Sequence, residues 1–298
     1  MIIPRVLATT GQRARNALRL ALRTKAGRIG LPIVLLYLIL TVIGPGLWHW
    51  LPHSPTEIPD PLAPYQFLPP SAQFWLGTDQ YGRDVFSRVM CGATSLIATA
   101  AAGAALGIVL GTMVGMSSGY KGGKIDEVVM RVLDGLMSFP TLLLALLVLF
   151  TLGPSRVNIA ATIGFVSMPG IARVVRSNTL SLKTMEFVQS ARLRGESGAY
   201  IIFREILPNV LPILGVEASV RFSYAILSVA SLGFLGLGIQ PPSPDWGLMI
   251  SQSRRFLVTA PWVALAPMGA VASLVIGVNL LADGIRQAGT MAQGEEQS

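Results

Sequence analysis

The sequence predicts an all-α, polytopic membrane protein with six transmembrane helices. Of its 298 residues, 52% are hydrophobic and only 13% are charged. A soluble domain carries about 25% charged residues, so this chain has too little charge to cover a globular surface. Several apolar stretches reach the roughly 20 residues that one helical crossing of the hydrocarbon core requires.

The placement of charge predicts the orientation of the chain. The formal net charge is +8, and no Asp or Glu occurs before Glu57. Seven basic residues precede or border the first apolar run: Arg5, Arg13, Arg15, Arg19, Arg23, Lys25 and Arg28. By the positive-inside rule, residues 1–28 form a cytoplasmic basic segment, which we expect to rest on the inner membrane surface. The basic charge therefore points to a lipid bilayer as partner and not to nucleic acid.

Residues that could build a catalytic or metal site are scarce. Cys91 is the single cysteine, which excludes an internal disulfide and a multi-cysteine metal site. His49 and His53 flank the outer end of the first predicted span, where interfacial histidines are common. An integral-membrane enzyme needs a constellation such as Ser/His/Asp or a metal cluster. The sequence predicts neither an enzyme nor a bound metal or cofactor.

The first predicted element is an anchor helix over residues 29–50. Its apolar run is too long for a signal peptide, and no small-residue cleavage site follows it, so we expect it to remain uncleaved. Residues 51–90 are rich in proline and polar groups, which predicts an external loop because proline prevents long helices. Residues 29–90 thus form an anchor and a periplasmic loop, with Trp48, Trp50 and Trp75 in an interfacial belt.

The second predicted span, residues 92–119, carries a regular glycine pattern. Glycine recurs at every fourth position: Gly103, Gly107, Gly111, Gly115 and Gly119. At 3.6 residues per turn these positions form one smooth stripe. Because glycine is costly inside a helix, the stripe predicts close contact with another helix. The alternative is chance in a span rich in glycine and alanine.

Four further spans follow, and five spans together form a core over residues 91–288. They are predicted at 125–152 with a kink at Pro140, 157–180 with Pro169-Gly170 at mid-span, 208–234 and 261–285. The loop 181–207 and a tail over 289–298 are expected in the cytoplasm, and the loop 235–260 outside. The segment Gly122-Gly123-Lys124 does not have the spacing of a phosphate-binding loop, so no ATP site is predicted.

The inner loop is unusually polar between its apolar neighbours. Two short helices are predicted, at about 183–194 and 198–206, with Gly195 ending the first in a backbone conformation that favours glycine. On the first helix Phe187, Ser190, Ala191 and Arg194 share a face at spacings of three and four. Such a face can dock into a cleft on another protein. The alternative is an amphipathic loop that lies on lipid headgroups.

Four polar residues inside the predicted spans are candidates for a transport pathway or for helix packing. Glu217 and Arg221 lie four residues apart on the fifth span and can pair. Asn279 and Asp283 share a face of the sixth. Burying polar groups in lipid is expensive, so each position requires a functional or structural reason.

The inner loop resembles the EAA-type cytoplasmic loop of ABC importer permeases. Gln189, Ser190 and Ala191 stand at the Glu-Ala-Ala positions, and Gly195, Leu207 and Pro208 fall at the spacing of the family. The sequence departs from the motif at Gln189, at Ser190, and at Glu205, where isoleucine is usual. Four more segments resemble the second membrane subunit of dipeptide, oligopeptide and nickel permeases, a group that includes glutathione permeases. They are LGTDQYGRDVFSRV (76–89), FPTLLLALLVLFTLGP (139–154), SLGFLGLGIQPPSPDWGLM (231–249) and NLLADGIRQA (279–288).

This resemblance implies a type I ABC importer permease fold in a bacterial inner membrane, with both termini cytoplasmic. It also implies a heterodimer with a second related permease, two ABC ATPase subunits that hold ATP and Mg, and a periplasmic or lipid-anchored substrate-binding protein. The outer segments GTDQYGRD and QPPSPDWG are candidates for a lid or a dock for that protein, or are ordinary turns. The residues expected to dock an ATPase are Glu186, Gln189, Ser190, Ala191, Arg192, Gly195, Leu207 and Pro208.

The predicted function is that of a permease subunit for dipeptides, oligopeptides or a similar small solute. A nickel- or glutathione-specific member of the same family is one alternative. An ion-gradient-driven secondary transporter is another, and it would be expected to show internal repeats with matching broken helices. No clear repeat relates residues 90–180 to residues 205–285.

Overall fold

A computed structural model describes residues 22, 24–47, 65–241 and 243–295 of the chain. Within these residues the regular structure is helical, and one antiparallel bridge joins Thr78 to Asp84. The helices are α1 Lys25–Leu47, α2 Val85–Lys121, α3 Gly123–Met137, α4 Thr141–Leu152, α5 Arg156–Leu182, α6 Glu186–Leu193, α7 Gly198–Phe234, α8 Trp246–Ser253 and α9 Pro261–Glu295. A short 3₁₀ turn, Arg254–Phe256, follows α8.

Five of these helices are long and apolar enough to cross a membrane. They are α1, α2, α5, α7 and α9. A sixth crossing exists if α3 and α4, which meet at 88°, form one bent span. An all-α, polytopic membrane fold is therefore confirmed.

The third span was predicted as one helix over 125–152 with a kink at Pro140. The structure has two separate helices there, α3 and α4. The chain turns by 88° between α3 and α4, and Pro140 stands at the N-cap of α4. Proline removes one helical hydrogen bond and its ring clashes with the preceding turn, which favours a kink or a break at this position. α3 also carries Asp126 and Asp134, which pair with cations on α5: Arg176 donates two hydrogen bonds to Asp126, at 2.6 and 2.5 Å, and Arg173 pairs with Asp134. Of these two helices, only α4 carries no charged residue.

The sequence predicted a second short helix in the inner loop, separate from the fifth span. In the structure the two form one helix. α7 runs without a break from Gly198 to Phe234, with a π-helical turn over Ile201–Ile206 just before Pro208. There the N–H of Leu207 donates to the carbonyl of Ile202. Pro208 has no N–H to donate and its ring clashes with the preceding turn, so the wider turn absorbs the proline without ending the helix.

The glycine stripe of α2 faces α5. All five stripe glycines are buried. A Cβ atom at Gly111 would lie 2.7 Å from the Cβ of Ile171, and one at Gly119 would lie 3.1 Å from the Cβ of Thr179. The contact is reciprocal, because a Cβ at Gly164 of α5 would lie 2.9 Å from Leu106. Glycine thus lets the two backbones approach to a distance that any larger residue would prevent.

Both outer segments that were candidates for a lid or a dock are largely buried in the structure. Trp246 is fully buried, donates from Nε1 to the carbonyl of Val89 at 2.9 Å and meets the ring of Tyr37 edge-on. In the other segment, buried Asp79 accepts from Arg83 Nε at 2.7 Å and lies 3.8 Å from Arg88. Through Trp246 these contacts hold α1, α2 and α8 together.

Several predictions fall outside the described residues. They concern the basic segment before residue 22, the loop 51–64, the interfacial residues Trp48, His49, Trp50 and His53, and the last residues of the tail. The described helix α9 continues beyond the predicted span end at 285 to Glu295.

Candidate functional site

The inner loop positions a short helix, α6, between the end of α5 and the start of α7. Gly195 follows α6 with φ +77°, a conformation that a side chain would make costly. Its N–H donates to the carbonyl of Arg192 at 2.9 Å, and the N–H of Glu196 donates to the carbonyl of Ala191 at 3.2 Å. This closure turns the chain sharply back toward α7.

One face of α6 is buried in the protein's own core. Val188 and Ala191 are three residues apart and both are fully buried. They join an apolar cluster with residues of α2, α5 and α7: Met116, Ile171, Val175, Ile201, Ile206, Val210 and Leu214. Ala191, one of the residues expected to dock an ATPase, is therefore not on the exposed surface of α6. Its small side chain makes room for this chain's own helices.

The opposite face of α6 is exposed. Glu186, Gln189 and Ser190 lie on it, and Gln189 Nε2 donates to the carbonyl of Thr184 at 3.0 Å. Leu193 completes this face and is 89% exposed, with Met185 at its edge 47% exposed. Neither apolar residue was predicted from the sequence to lie at this surface. The spacing of 186, 190 and 193 on the side opposite 188 and 191 was the signal that could have found them.

The arginines of the loop are held by neighbouring helices. The guanidinium of Arg192 lies 5.2 Å from the ring centroid of Tyr120 at the inner end of α2, a cation–π contact. Arg194 lies 3.5 Å from Glu205 of α7 and 3.8 Å from Glu196. These contacts join the end of α6 to both α2 and α7.

Leu207 and Pro208, expected in the docking set, lie within α7. Leu207 is half-buried, and Pro208 is exposed just after the π-helical turn. Their position shows a role in the shape of α7. The structure does not bring them onto the exposed face of α6.

A cavity of about 690 Å³ lies among α4, α5 and α7 and the bend before α4. α7 contributes a polar stripe to its wall at helical spacings of four, three, four and three: Glu217, Arg221, Tyr224, Ser228 and Ser231. The sequence analysis named only the first two. The remaining three continue the same helical period along the span.

Glu217 and Arg221 form an ion pair in this wall. Arg221 Nε donates to Glu217 Oε1 at 2.7 Å, and Nη2 approaches the same oxygen at 2.5 Å. The guanidinium lies against α5 at Gly170, where a Cβ would be 2.8 Å from Nη2. Glycine at this mid-span position therefore gives the arginine its place.

Asn279 and Asp283 are not among the residues that line the cavity. Asn279 Oδ1 accepts a hydrogen bond from Ser223 at 2.8 Å, which joins α9 to α7. Asp283 is exposed nearer the inner end of α9. The structure thus separates the two predicted polar pairs, placing one in a cavity wall and the other at a helix contact and an exposed surface.

Among the described residues, no group of three or more His, Cys, Asp or Glu side chains has the arrangement of a metal site.

A family model described as the binding-protein-dependent transport system inner membrane component matches residues 107–288. This range contains α6, the cavity and both polar pairs. The chain belongs to this family.

Curated relatives agree with this membership and extend over most of the permease. The dipeptide transport system permease protein DppC of Alkalihalophilus pseudofirmus is 36% identical over 274 residues, which are 92% of this chain and 88% of the relative. The glutathione transport system permease protein GsiD of Pectobacterium atrosepticum is 41% identical over 219 residues, 74% of this chain and 73% of the relative. GsiD of Escherichia coli O6:K15:H31 is 43% identical, with 74% of this chain and 72% of the relative covered.

The fold of the permease is that of a solved importer subunit. A chain of the MetNI methionine ABC transporter, solved in inward-facing conformations, superposes with a TM-score of 0.56 at 19% sequence identity. The match covers 67% of this chain and 96% of that chain. The protein is a multi-pass permease subunit of an ABC importer.

Proposed function

We propose that this permease pairs with a second, related permease to form the pathway of an ATP-driven peptide importer of the bacterial inner membrane. A substrate-binding protein delivers the cargo on the outer side, and two ABC ATPase subunits bind on the inner side. In this proposal ATP and Mg belong to the ATPase subunits. α6 is the coupling helix, the element that one ATPase grips.

The observation that carries the docking role is the division of α6 into two faces. Its inner face is locked into the core through Val188 and Ala191. Its exposed face presents Leu193, which is almost fully exposed, beside the polar residues Glu186 and Ser190. An exposed apolar residue with polar residues around it has the arrangement of a protein interface, which has an apolar centre and a polar rim.

The same division explains how force from an ATPase reaches the membrane. Because Ala191 and Val188 pack with residues of α2, α5 and α7, α6 cannot move without these helices. On this proposal, closure of the ATPase dimer displaces α6, and the spans shift from inward- to outward-facing. The change is a population shift, driven because ATP binds one conformation of the assembly better than the other.

Peptides are the proposed cargo because two kinds of relative carry peptide-like solutes by name. DppC is a dipeptide permease, and GsiD is a permease for glutathione. The cavity of about 690 Å³ lies within the range of roughly 300–1,000 Å³ of small-molecule sites. Glutathione, itself a small peptide, is the second candidate, favoured by the higher identity to GsiD.

The test of docking compares two highly exposed aliphatic residues, Leu193 on α6 and Val258 in the loop between α8 and α9. Leu193→Asp places a charge on the outer face of α6, and Val258→Asp places the same charge on the far outer loop, where Val258 is 95% exposed. Each variant is extracted in mild detergent together with its partner subunits. We expect Leu193→Asp to lose at least about tenfold of the copurifying ATPase, as removal of a hot-spot contact does, and Val258→Asp to retain it.

Both substitutions lie on exposed surfaces, so both proteins are expected to insert and fold. Equal retention of ATPase by the two variants would overturn the docking role of α6.

A further inference from the structure

The Glu217–Arg221 pair has an unusual position for two charges in a membrane-spanning helix. Charges at membrane depth are costly and usually pair or face a water-filled cavity. Here they do both, since the side chains are 17% and 24% exposed and line the cavity of about 690 Å³. A pair that served packing alone would be expected to be sealed among its neighbours.

The surroundings hold the pair at the cavity wall. On one side Gly170 leaves space for the guanidinium, whose Nη1 and Nη2 atoms would be 3.1 and 2.8 Å from a Cβ there. Arg221 engages Glu217 through Nε and Nη2, both directed at Oε1. Nη1 of the arginine and Oε2 of the glutamate are therefore not used within the pair. The polar stripe continues from the pair through Tyr224 to Ser228.

We infer that the Glu217–Arg221 pair is a subsite for the two terminal charges of a zwitterionic peptide, an inference that rests on the proposed function. The guanidinium is suited to a terminal carboxylate, which it can bind through two parallel N–H donors. The carboxylate of Glu217 is suited to a terminal ammonium.

Charge balance gives this subsite its selectivity. The ion pair is neutral, and so is a peptide with both termini free, so binding exchanges one set of opposite-charge contacts for another. A solute with one terminus blocked leaves one protein charge without a counter-charge in a site of low polarity, which is strongly unfavourable. The cavity therefore admits zwitterions and disfavours singly charged analogues of the same size.

A cysteine reporter in the cavity tests this inference without relying on delivery by a binding protein. Cys91→Ser removes the single native thiol, and Ser228→Cys places a thiol on the polar stripe about two helical turns from Arg221. The assembled transporter is treated with a neutral thiol reagent in the presence of dialanine, N-acetyl-dialanine or dialanine amide. We expect dialanine to slow labelling roughly threefold to tenfold. The two blocked peptides should have little effect, because each leaves one charge of the pair without a partner, and the electrostatic cost of one unpartnered charge corresponds to a change of about this size.

Removing one charge at a time should exchange the selectivity. With Glu217→Gln, the remaining arginine favours anionic N-acetyl-dialanine, which should now protect the thiol. With Arg221→Gln, the remaining carboxylate favours cationic dialanine amide. Gly170→Ala displaces the guanidinium and should weaken protection by dialanine, whereas Gly215→Ala on the same helix as the pair, with nothing within 4 Å of the new methyl, should not.

A pair with a packing role only predicts a different result. Protection by all three peptides alike, protection by none, or the same pattern in Glu217→Gln and Arg221→Gln would each overturn the inference. The proposed function is tested separately by ATPase retention in Leu193→Asp. An exchange of selectivity together with normal ATPase retention would leave the subsite standing and remove the docking role.

Discussion

Ala191 and Leu193 lie two residues apart on one short helix, yet one is fully buried and the other is 89% exposed. A rotation of 200° along the helix separates them, which is enough to exchange the protein's core for solvent. The family motif draws attention to Ala191. Burial shows that its contribution is to seat α6 on its own chain, and that the surface available to a partner is carried by Leu193 and its polar neighbours.

Asp245 has two opposing effects on stability: its hydrogen bond caps a helix, and burial of its carboxyl group disfavours the charged form. Its Oδ1 accepts from the N–H of Leu248 at 2.8 Å, which caps α8. Burial raises the pKa of this carboxyl above its usual range, and the backbone hydrogen bonds to Leu248, Ile239 and Gly247 only partly oppose the shift. The folded protein therefore holds the proton to higher pH than the unfolded chain does.

The sign of the resulting pH dependence follows from linkage. The contribution of Asp245 is fully favourable below the unfolded pKa of about 3.9, and the free energy of unfolding falls as pH rises through the raised folded value. Asp245→Asn retains the cap and removes this decline, so we expect it to equal or exceed the parent at neutral pH. Asp245→Ala loses the cap and should be less stable by about 1 kcal/mol. Thermal unfolding in detergent at acid and neutral pH measures both, and a steeper decline in the Asn variant would contradict the assignment.

At the scale of elements, the glycine stripe decides how closely α2 and α5 pack. Gly111→Ala would place a methyl carbon 2.7 Å from the Cβ of Ile171, so the helices must separate. We expect a loss of about 1–3 kcal/mol in the free energy of unfolding, typical of overpacking. Gly269→Ala in α9 is the matched control, because nothing lies within 4 Å of its new methyl. Unfolding midpoints of the two variants in detergent provide the comparison, and equal midpoints would argue against a tight α2–α5 contact.

Two prolines shape elements in different ways. Pro140 stands where α4 begins, after an 88° turn of the chain, and α3 before it is tied to α5 by Arg176 and Asp126. Pro208 lies inside α7, where a π-helical turn accommodates it. The outcome depends on the residues that come before. The charged positions of α3 favour leaving the membrane, whereas Ile201 and Ile206 at the two ends of the π-helical turn pack on the core and favour continuing the helix.

At the scale of the whole molecule, α7 connects every feature that the proposals use. α6 lies before its first residue, the polar stripe lines the cavity along its length, and the loop with Val258 follows its last residue. We expect α6 in the cytoplasm and Val258 on the outer side, as the positive-inside rule predicts.

A pair of cysteine variants in the Cys91→Ser background tests this orientation. A membrane-impermeant thiol reagent should label Val258→Cys in cells whose inner membrane is intact. Where the cells have an outer membrane, it is permeabilised first so that the reagent reaches the inner membrane. The reagent should label Leu193→Cys only after the inner membrane is opened. Both side chains are highly exposed, so access to the thiol itself does not differ between them. The reverse labelling pattern would invert the topology and with it the proposed side of ATPase docking.

The membrane class, the approximate spans, the glycine stripe and the family of the inner loop could all be predicted from the sequence. These follow from composition, from helical periodicity and from residues at fixed spacing, all of which are local properties of a chain. Tertiary contacts were needed to show that Ala191 is covered and Leu193 is not, and that Glu217 and Arg221 line a cavity while Asn279 meets Ser223. They also show that the predicted kink at Pro140 is an 88° turn between two helices. Periodicity shows that a helix has two different faces, but which neighbour covers a face depends on contacts between residues far apart in sequence, such as Gly170 with Arg221.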